Sequence, residues 1–338
     1  MPVPLIVDTD TASDDAVALI MALREPEVDV KAITVVAGNV SMKKGSRNAR
    51  YTAELCKAEV PVYEGADRPL LREPRVASFF HGEDGLGDQG YPPPRRPPAA
   101  GHAVPALVEA AHAQPGLTLV TLGPLTNVAL ALRQSPEIVE KIGRCVVMGG
   151  AACTVGNMTP AAEYNIWCDP EAARICFRSG LPIEMVGWEL CRGPANLDDE
   201  DMARIRGLDT PLARFTLGCN ANALEANRGS YGEPGIALPD PVAMAVALDP
   251  DVVTRKSRHA VDVECEGTLT RGMTVVDQLD AVSRGLGDTF GWSAGATTAD
   301  PRVTVCWEID VTRFKERLFR ALAPVSRGRP GTRPLRSS

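Results

Sequence analysis

The sequence predicts a mostly parallel, open α/β sheet with helices on both faces. Three observations predict it. Short apolar runs alternate with segments of helical spacing from the first residues onward. The run 30–37 is β-branched and almost continuously apolar, as expected of a strand covered on both faces. The alternation then continues to residue 186, which implies right-handed βαβ units and hence parallel pairing.

The elements follow in order. Pro4-Leu-Ile-Val-Asp8 reads as a strand ending in acids, and residues 14–23 have helical apolar spacing. Residues 30–37 form the next strand, 42–58 a helix and 60–63 a short strand. Residues 117–122, 144–148 and 183–186 continue the strands, with helices at 125–133 and 170–179 between them. Residues 64–101 are rich in Pro, Gly and charge, too long for a plain connection, and predict a surface excursion beside the site. Residues 198–224 read as mainly helical and 227–235 as a loose Gly-containing stretch. The segments 261–263 and 303–309 are β-like and extend the sheet. One domain is expected over residues 1–324, with a disordered basic tail at 325–338.

Bulk properties narrow the function. Hydrophobic residues make up 44% of the chain and mean hydropathy is near zero, as in a soluble globular protein. No apolar run approaches the roughly 18 residues of a membrane span. The first residues enter a strand without a signal-peptide pattern, so a cytoplasmic protein is expected. A net charge of −7 argues against nucleic acid as partner. The nine cysteines form no C-x-x-C pair, which is poor spacing for zinc and fits a reducing compartment. With four histidines in all, histidine-based chemistry has few candidates.

The strongest chemical signal is Asp8-Thr-Asp10-Thr-Ala-Ser-Asp14-Asp15. Its carboxylates stand just past an apolar strand, at the start of a helix, where ligands bind in open α/β sheets. N-capping and the helix dipole account for one or two of these acids. Four at this density call for a cation, and hard divalent ions take oxygen ligands. The same strand-then-D-x-D opening also fits a haloacid-dehalogenase-type phosphatase with a nucleophilic Asp and magnesium. Ala12 and the Asp14-Asp15 pair fit that alternative less well.

Four further segments accompany the acid string in order: Val36-Ala-Gly-Asn39-Val, Leu122-Gly-Pro-Leu-Thr-Asn127, Met148-Gly-Gly150 with Gly156-Asn157, Ala162-Glu163-Tyr-Asn165 and Asp169-Pro, and finally Asp240-Pro241. Together they resemble the inosine/uridine-preferring nucleoside hydrolase family over residues 1 to about 322. The resemblance implies a nucleoside hydrolase-like fold and calcium-dependent hydrolysis of ribonucleosides to ribose and base, in ribonucleoside catabolism and nucleotide salvage. It implies calcium held by Asp10, Asp15, Asp240 and the Leu122 carbonyl, with Asp14 as base toward the metal-bound water. Asn39 and Asn165 would hold ribose hydroxyls or the nucleophile, Asn157 and Glu163 the 5′-hydroxyl side, and Met148 would line the sugar pocket. Asp8 would stand behind the ligands. A homo-oligomer, dimer or tetramer, is also implied.

The resemblance breaks at Pro239. Its pattern carries His or Trp just before the late Asp, to protonate or stack on the base, and proline does neither. His81, in Phe79-Phe80-His81-Gly82, and Tyr231 are the substitutes expected on the base side, with Trp188 and Cys191 as further candidates for the pocket wall. A ribose or nucleoside binder without catalysis is the remaining alternative, against which Asp14 argues.

Overall fold

The computed structural model describes residues 2–282, 284–286 and 302–324, so the tail expected at 325–338 lies outside the described residues. Among those described, nine strands are present: β1 (Val3–Thr9), β2 (Val28–Val35), β3 (Val62–Glu64), β4 (Leu117–Thr121), β5 (Ile142–Met148), β6 (Ile183–Val186), β7 (Val253–Val263), β8 (Thr274–Val276) and β9 (Arg302–Ile309). They form one sheet in the order β3-β2-β1-β4-β5-β6-β9-β7-β8. Pairing is parallel from β3 through β9, while β7 and β8 add on antiparallel. The expected mostly parallel α/β sheet is therefore present, and the late β-like segments do extend it.

Both faces of the central strands β1, β4, β5 and β6 are largely buried because these strands place apolar residues on each side in turn. Leu5 and Val7 enter one core and Ile6 the other. Val146 and Met148 likewise divide from Cys145 and Val147. The helix Ser13–Arg24 is buried from Ser13 to Ala22. It packs against the helices Pro239–Leu248 and Val311–Leu322, as a helix that is apolar nearly all round must.

Several stretches differ from the sequence reading, among them β7, which begins at Val253 and not at the expected 261, and β8, which has no counterpart in it. The helix Ala103–Ala113 was not anticipated, its pattern being broken by Pro105; His102 caps it, accepting from the Val104 amide at 3.2 Å. The helix Val311–Leu322 was not anticipated either, and Asp310 caps it. The stretch expected to be loose begins as a π-helical turn, Asn227–Tyr231, continuing the helix Ala221–Ala226.

The strand order reverses direction at β1, whose neighbours are β2 and β4. The crevice outside the carboxyl ends of those strands is where such sheets bind ligands. Asp8 braces this point. It is fully buried, and one oxygen accepts from Thr34 Oγ1 at 2.6 Å and from Asn127 Nδ2 at 2.8 Å. Asn127 also donates to the Val35 carbonyl and accepts from the Ala66 amide. Burial pushes the Asp8 carboxyl up to about 7 against those hydrogen bonds. Asn127→Ala leaves Asp8 short of a donor, and a loss of about 2 kcal/mol is expected in urea denaturation. Unchanged stability would show that this brace is not needed.

Candidate active site

β1 ends in Thr9, and the next residues turn into the helix Ser13–Arg24 with Ala12 at its cap. Asp15 closes that turn, accepting from the Ala12 amide at 2.8 Å and from Thr9 Oγ1 at 2.5 Å. The capping expected of this pair is thus present at Asp15. Asp240 lies in the first turn of the helix Pro239–Leu248. Two helix N-termini therefore bring their partial positive charge to one group of acids.

Asp14, Asp15 and Asp240 each offer an oxygen, all within 4.8 Å of one another, and all three residues are buried. Asp10 is also fully buried, and its Oδ2 accepts from the Asn39 amide at 2.5 Å. Only glycine fits on either side of it: a Cβ on Gly38 would stand 2.0 Å from Oδ2, and one on Gly123 2.8 Å from Oδ1. One oxygen each of Asp10, Asp14 and Asp240 has no hydrogen-bond partner.

The electrostatics follow from burying like charges together. Burial, then the charge of Asp15, holds the Asp10 carboxyl well above its ordinary range. Burial, then Asp14, does the same to Asp240. Asp14 is pushed up to about 6 by burial, which outweighs nearby backbone amides including that of Asp240. Burial, then Asp14, raises Asp15 as well. Among the described residues the cationic group nearest these carboxylates is His81, whose Nδ1 lies 3.8 Å from Asp14 Oδ1. Burial lowers His81 to about 4, so the ring is neutral at pH 7 and offsets nothing.

Asp14 and Asp240 open onto a partly enclosed cavity. Asn39, Asn157, Glu163 and Asn165 line its polar part, beside Leu122 and Met148. His81, Phe79, Phe80, Trp188, Tyr231 and Pro239 form an aromatic side. Ten of the twelve expected site residues thus meet at one cavity; Asp10 and Asp15 are absent from its wall and lie buried among the acids. Trp188 both lines the cavity and belongs to the core, whereas Cys191 is packed behind, with Sγ 3.9 Å from the Pro239 carbonyl.

Several of these residues also do structural work. Glu163 caps the helix Tyr164–Cys168, accepting from the amides of Asn165 and Ile166, and accepts from Gly150 as well. Burial pushes it up to about 7 despite these donors. Asn157 Oδ1 accepts from the Tyr164 amide at 2.8 Å, and its carbonyl accepts from the Tyr231 hydroxyl at 3.2 Å. Asn165 Nδ2 donates to the carbonyls of Leu122 (3.0 Å) and Met148 (3.2 Å), leaving Oδ1 without a partner. Tyr231 stands 5.7 Å from the Trp188 ring and 6.3 Å from Phe80. Sequence reading missed Ser13, whose Oγ lies 2.8 Å from His81 Nδ1, and also Tyr164 and Met158 in the wall. Ser13 and His81 are 68 residues apart, and no local pattern links them.

Fold and site together define an α/β protein with a buried carboxylate cluster opening on a cavity at the carboxyl edge of its sheet. The chain belongs to the inosine-uridine preferring nucleoside hydrolase family, whose model matches residues 5–316. It is 42% identical over 281 residues to the pyrimidine-specific ribonucleoside hydrolase RihA of Salmonella enteritidis, covering 82% of this chain and 89% of that one. Among solved structures, the plant nucleoside hydrolase PpNRh1 superposes with a TM-score of 0.88 at 33% identity, covering 96% of this chain and all of that one. The purine-preferring ribonucleoside hydrolase from Gardnerella vaginalis gives 0.84 at 33% identity, with coverage of 94% and 98%. The activity is accordingly ribonucleoside hydrolysis, and the phosphatase alternative falls away.

The raised carboxylates set a pH dependence. Asp8, Asp14 and Glu163 hold protons in the folded, metal-free protein up to about 7, 6 and 7, whereas unfolded they release them near 4. Their stabilisation is complete below about pH 4 and is lost as pH rises through 6–7. His81 works in the opposite direction between about 4 and 6.5 but is one group against several. In chelator-treated protein the unfolding temperature is expected to fall from pH 5 to pH 8. A rise over that interval would contradict these protonation states.

Proposed function

We propose that the chain cleaves the N-glycosidic bond of free ribonucleosides with calcium as cofactor, held by Asp10, Asp15, Asp240 and the Leu122 carbonyl, and with Asp14 as general base. One observation carries the reading: buried carboxylates with unpartnered oxygens converge at and just behind the cavity wall, and among the described residues no side-chain cation balances them. Buried charge of one sign is costly unless compensated, and an all-oxygen set suits calcium. Bound calcium would supply that compensation and polarise water and ribose hydroxyls.

Asp14 completes the closest triad of carboxylates, yet we assign Asp10 as the ligand and Asp14 as the base. Asp14 faces the cavity and Asp10 does not. A carboxyl raised toward neutrality is also matched to accepting a proton from the attacking water. As the water oxygen bonds to the anomeric carbon, the C–N bond breaks and its electron pair leaves with the base. Asn39 and Asn165 hold the ribose hydroxyls, Asn157 and Glu163 the 5′ side, and Met148 lies against the sugar. The developing positive charge on the ribose is stabilised by the surrounding carboxylates. His81 and Tyr231 face the base, where Pro239 supplies no proton. We also read residues 1–324 as one cytoplasmic domain that assembles as a homo-oligomer; no described helix is long and apolar enough to cross a membrane.

A reducing-sugar assay over a panel of ribonucleosides, with calcium or chelator, tests the activity. Full turnover in excess chelator would overturn the calcium assignment. Asp14→Asn should lower kcat by at least about 10²-fold while KM changes little. Asp10→Ala should instead lose calcium, read by equilibrium dialysis. Near-normal kcat in Asp14→Asn would remove that residue as the base.

A further inference from the structure

Ser13 stands inside the acid string but carries no charge and has no place in the mechanism above. Its side chain is fully buried, and among the described residues its Oγ has one hydrogen-bond partner, His81 Nδ1 at 2.8 Å. The backbone on each side is fixed. The Ser13 carbonyl accepts from Asn220 Nδ2 and from Cys219 Sγ. His81 ends a short helix, with its amide bonded to the Ala77 carbonyl and its carbonyl to the Gly87 amide. The imidazole is also packed edge-on against Phe80, with ring centroids 4.9 Å apart.

A neutral imidazole carries its proton on one nitrogen or the other, and its neighbours decide which. If Nδ1 carried it, Ser13 Oγ would have to accept, and the buried serine hydroxyl would be left with no acceptor. If Nδ1 is bare, the hydroxyl donates to it and both groups are satisfied. The other polar atom near Nδ1, Asp14 Oδ1, is 3.8 Å away and beyond hydrogen-bond reach. Nε2 has no partner in the described protein and is not among the buried unpartnered atoms, so it opens on the cavity that His81 lines.

We propose that Ser13 is a positioning residue that donates to His81 Nδ1 and holds the ring as the Nε2–H tautomer, presenting an N–H to the departing base. This rests on the reading above in which His81 faces the base. As the glycosidic bond breaks, its electron pair moves into the base, and an acceptor oxygen or nitrogen there gains charge that the Nε2–H meets as a donor. The opposite tautomer would present a lone pair to that same charge. Ser13 therefore acts on the leaving-group side, where Pro239 contributes no donor.

The test reads the tautomer directly. With four histidines in the chain, the ring nitrogens of calcium-loaded, ¹⁵N-labelled protein are assignable by NMR, the His81 signals by their loss in His81→Gln. In wild type at neutral pH, Nδ1 should show the shift of a bare nitrogen and Nε2 that of a protonated one. Ser13→Ala should shift both toward a mixture of tautomers. The same substitution should lower the ratio of kcat on inosine or uridine to kcat on p-nitrophenyl riboside by about tenfold, the worth of one hydrogen bond. Ser13→Thr, which keeps the hydroxyl, should restore both readouts. A wild-type Nδ1–H, or a Ser13→Ala protein with unchanged His81 shifts, would overturn the proposal. If no nucleoside is hydrolysed but the shifts follow Ser13 as described, the fault lies with the functional reading and the tautomer lock stands.

Discussion

The site depends on keeping carboxylates of one sign out of water. Asp10, Asp14, Asp15 and Asp240 are all buried, and no lysine or arginine among the described residues pairs with them. Desolvating such charges singly is expensive, and crowding them adds repulsion. Several features of the fold answer that cost in part. Two helix N-termini converge there, Thr9 and the amides of Ala12 and Asn39 donate hydrogen bonds, and raised pKa values let some groups keep a proton. The unpartnered oxygens mark what protein groups alone leave uncompensated.

The bracing around this cluster is correspondingly tight. Gly38 and Gly123 press on the two oxygens of Asp10 so closely that no side chain fits at either position. Asp8 gives up any role in the cavity to tie β1 to β2 and to Asn127. Asn165 joins the ends of β4 and β5 through the Leu122 and Met148 carbonyls. The polar part of the cavity is thus built largely from residues tied to the backbone by hydrogen bonds. The aromatic side adds ring packing among Phe80, His81, Trp188 and Tyr231 to the hydrogen bonds between Ser13 and His81 and from Tyr231 to the Asn157 carbonyl.

Much of the fold was legible because strand and helix periods are local properties. The alternating runs through residue 186 correspond to β1–β6 and most of their crossover helices, displaced by up to three residues at their ends. The helices Ala103–Ala113 and Val311–Leu322 escaped notice. The first carries an internal proline, and the second is highly charged on its outer face and owes its place to packing against the helix Ser13–Arg24. The π-helical turn at Asn227–Tyr231 was unreadable for a related reason. Its glycine and polar residues favour a loop locally, and tertiary contacts decide otherwise.

By itself the sequence determined the alternation that makes a parallel sheet, the density of acids after the first strand and the ordered motifs that mark the family. Those are matters of local spacing and residue type, written along the chain. The tertiary structure decided which acids face the cavity and which are sealed behind it, since Asp10 and Asp14 are indistinguishable by spacing alone. It also decided that His81 is neutral and bonded to Ser13, and that Trp188 and Tyr231 meet across the pocket. These depend on burial and on contacts between segments tens of residues apart. A charge or a tautomer is set by the solvent that folding removes and the partners that it supplies, and neither change is written in local spacing.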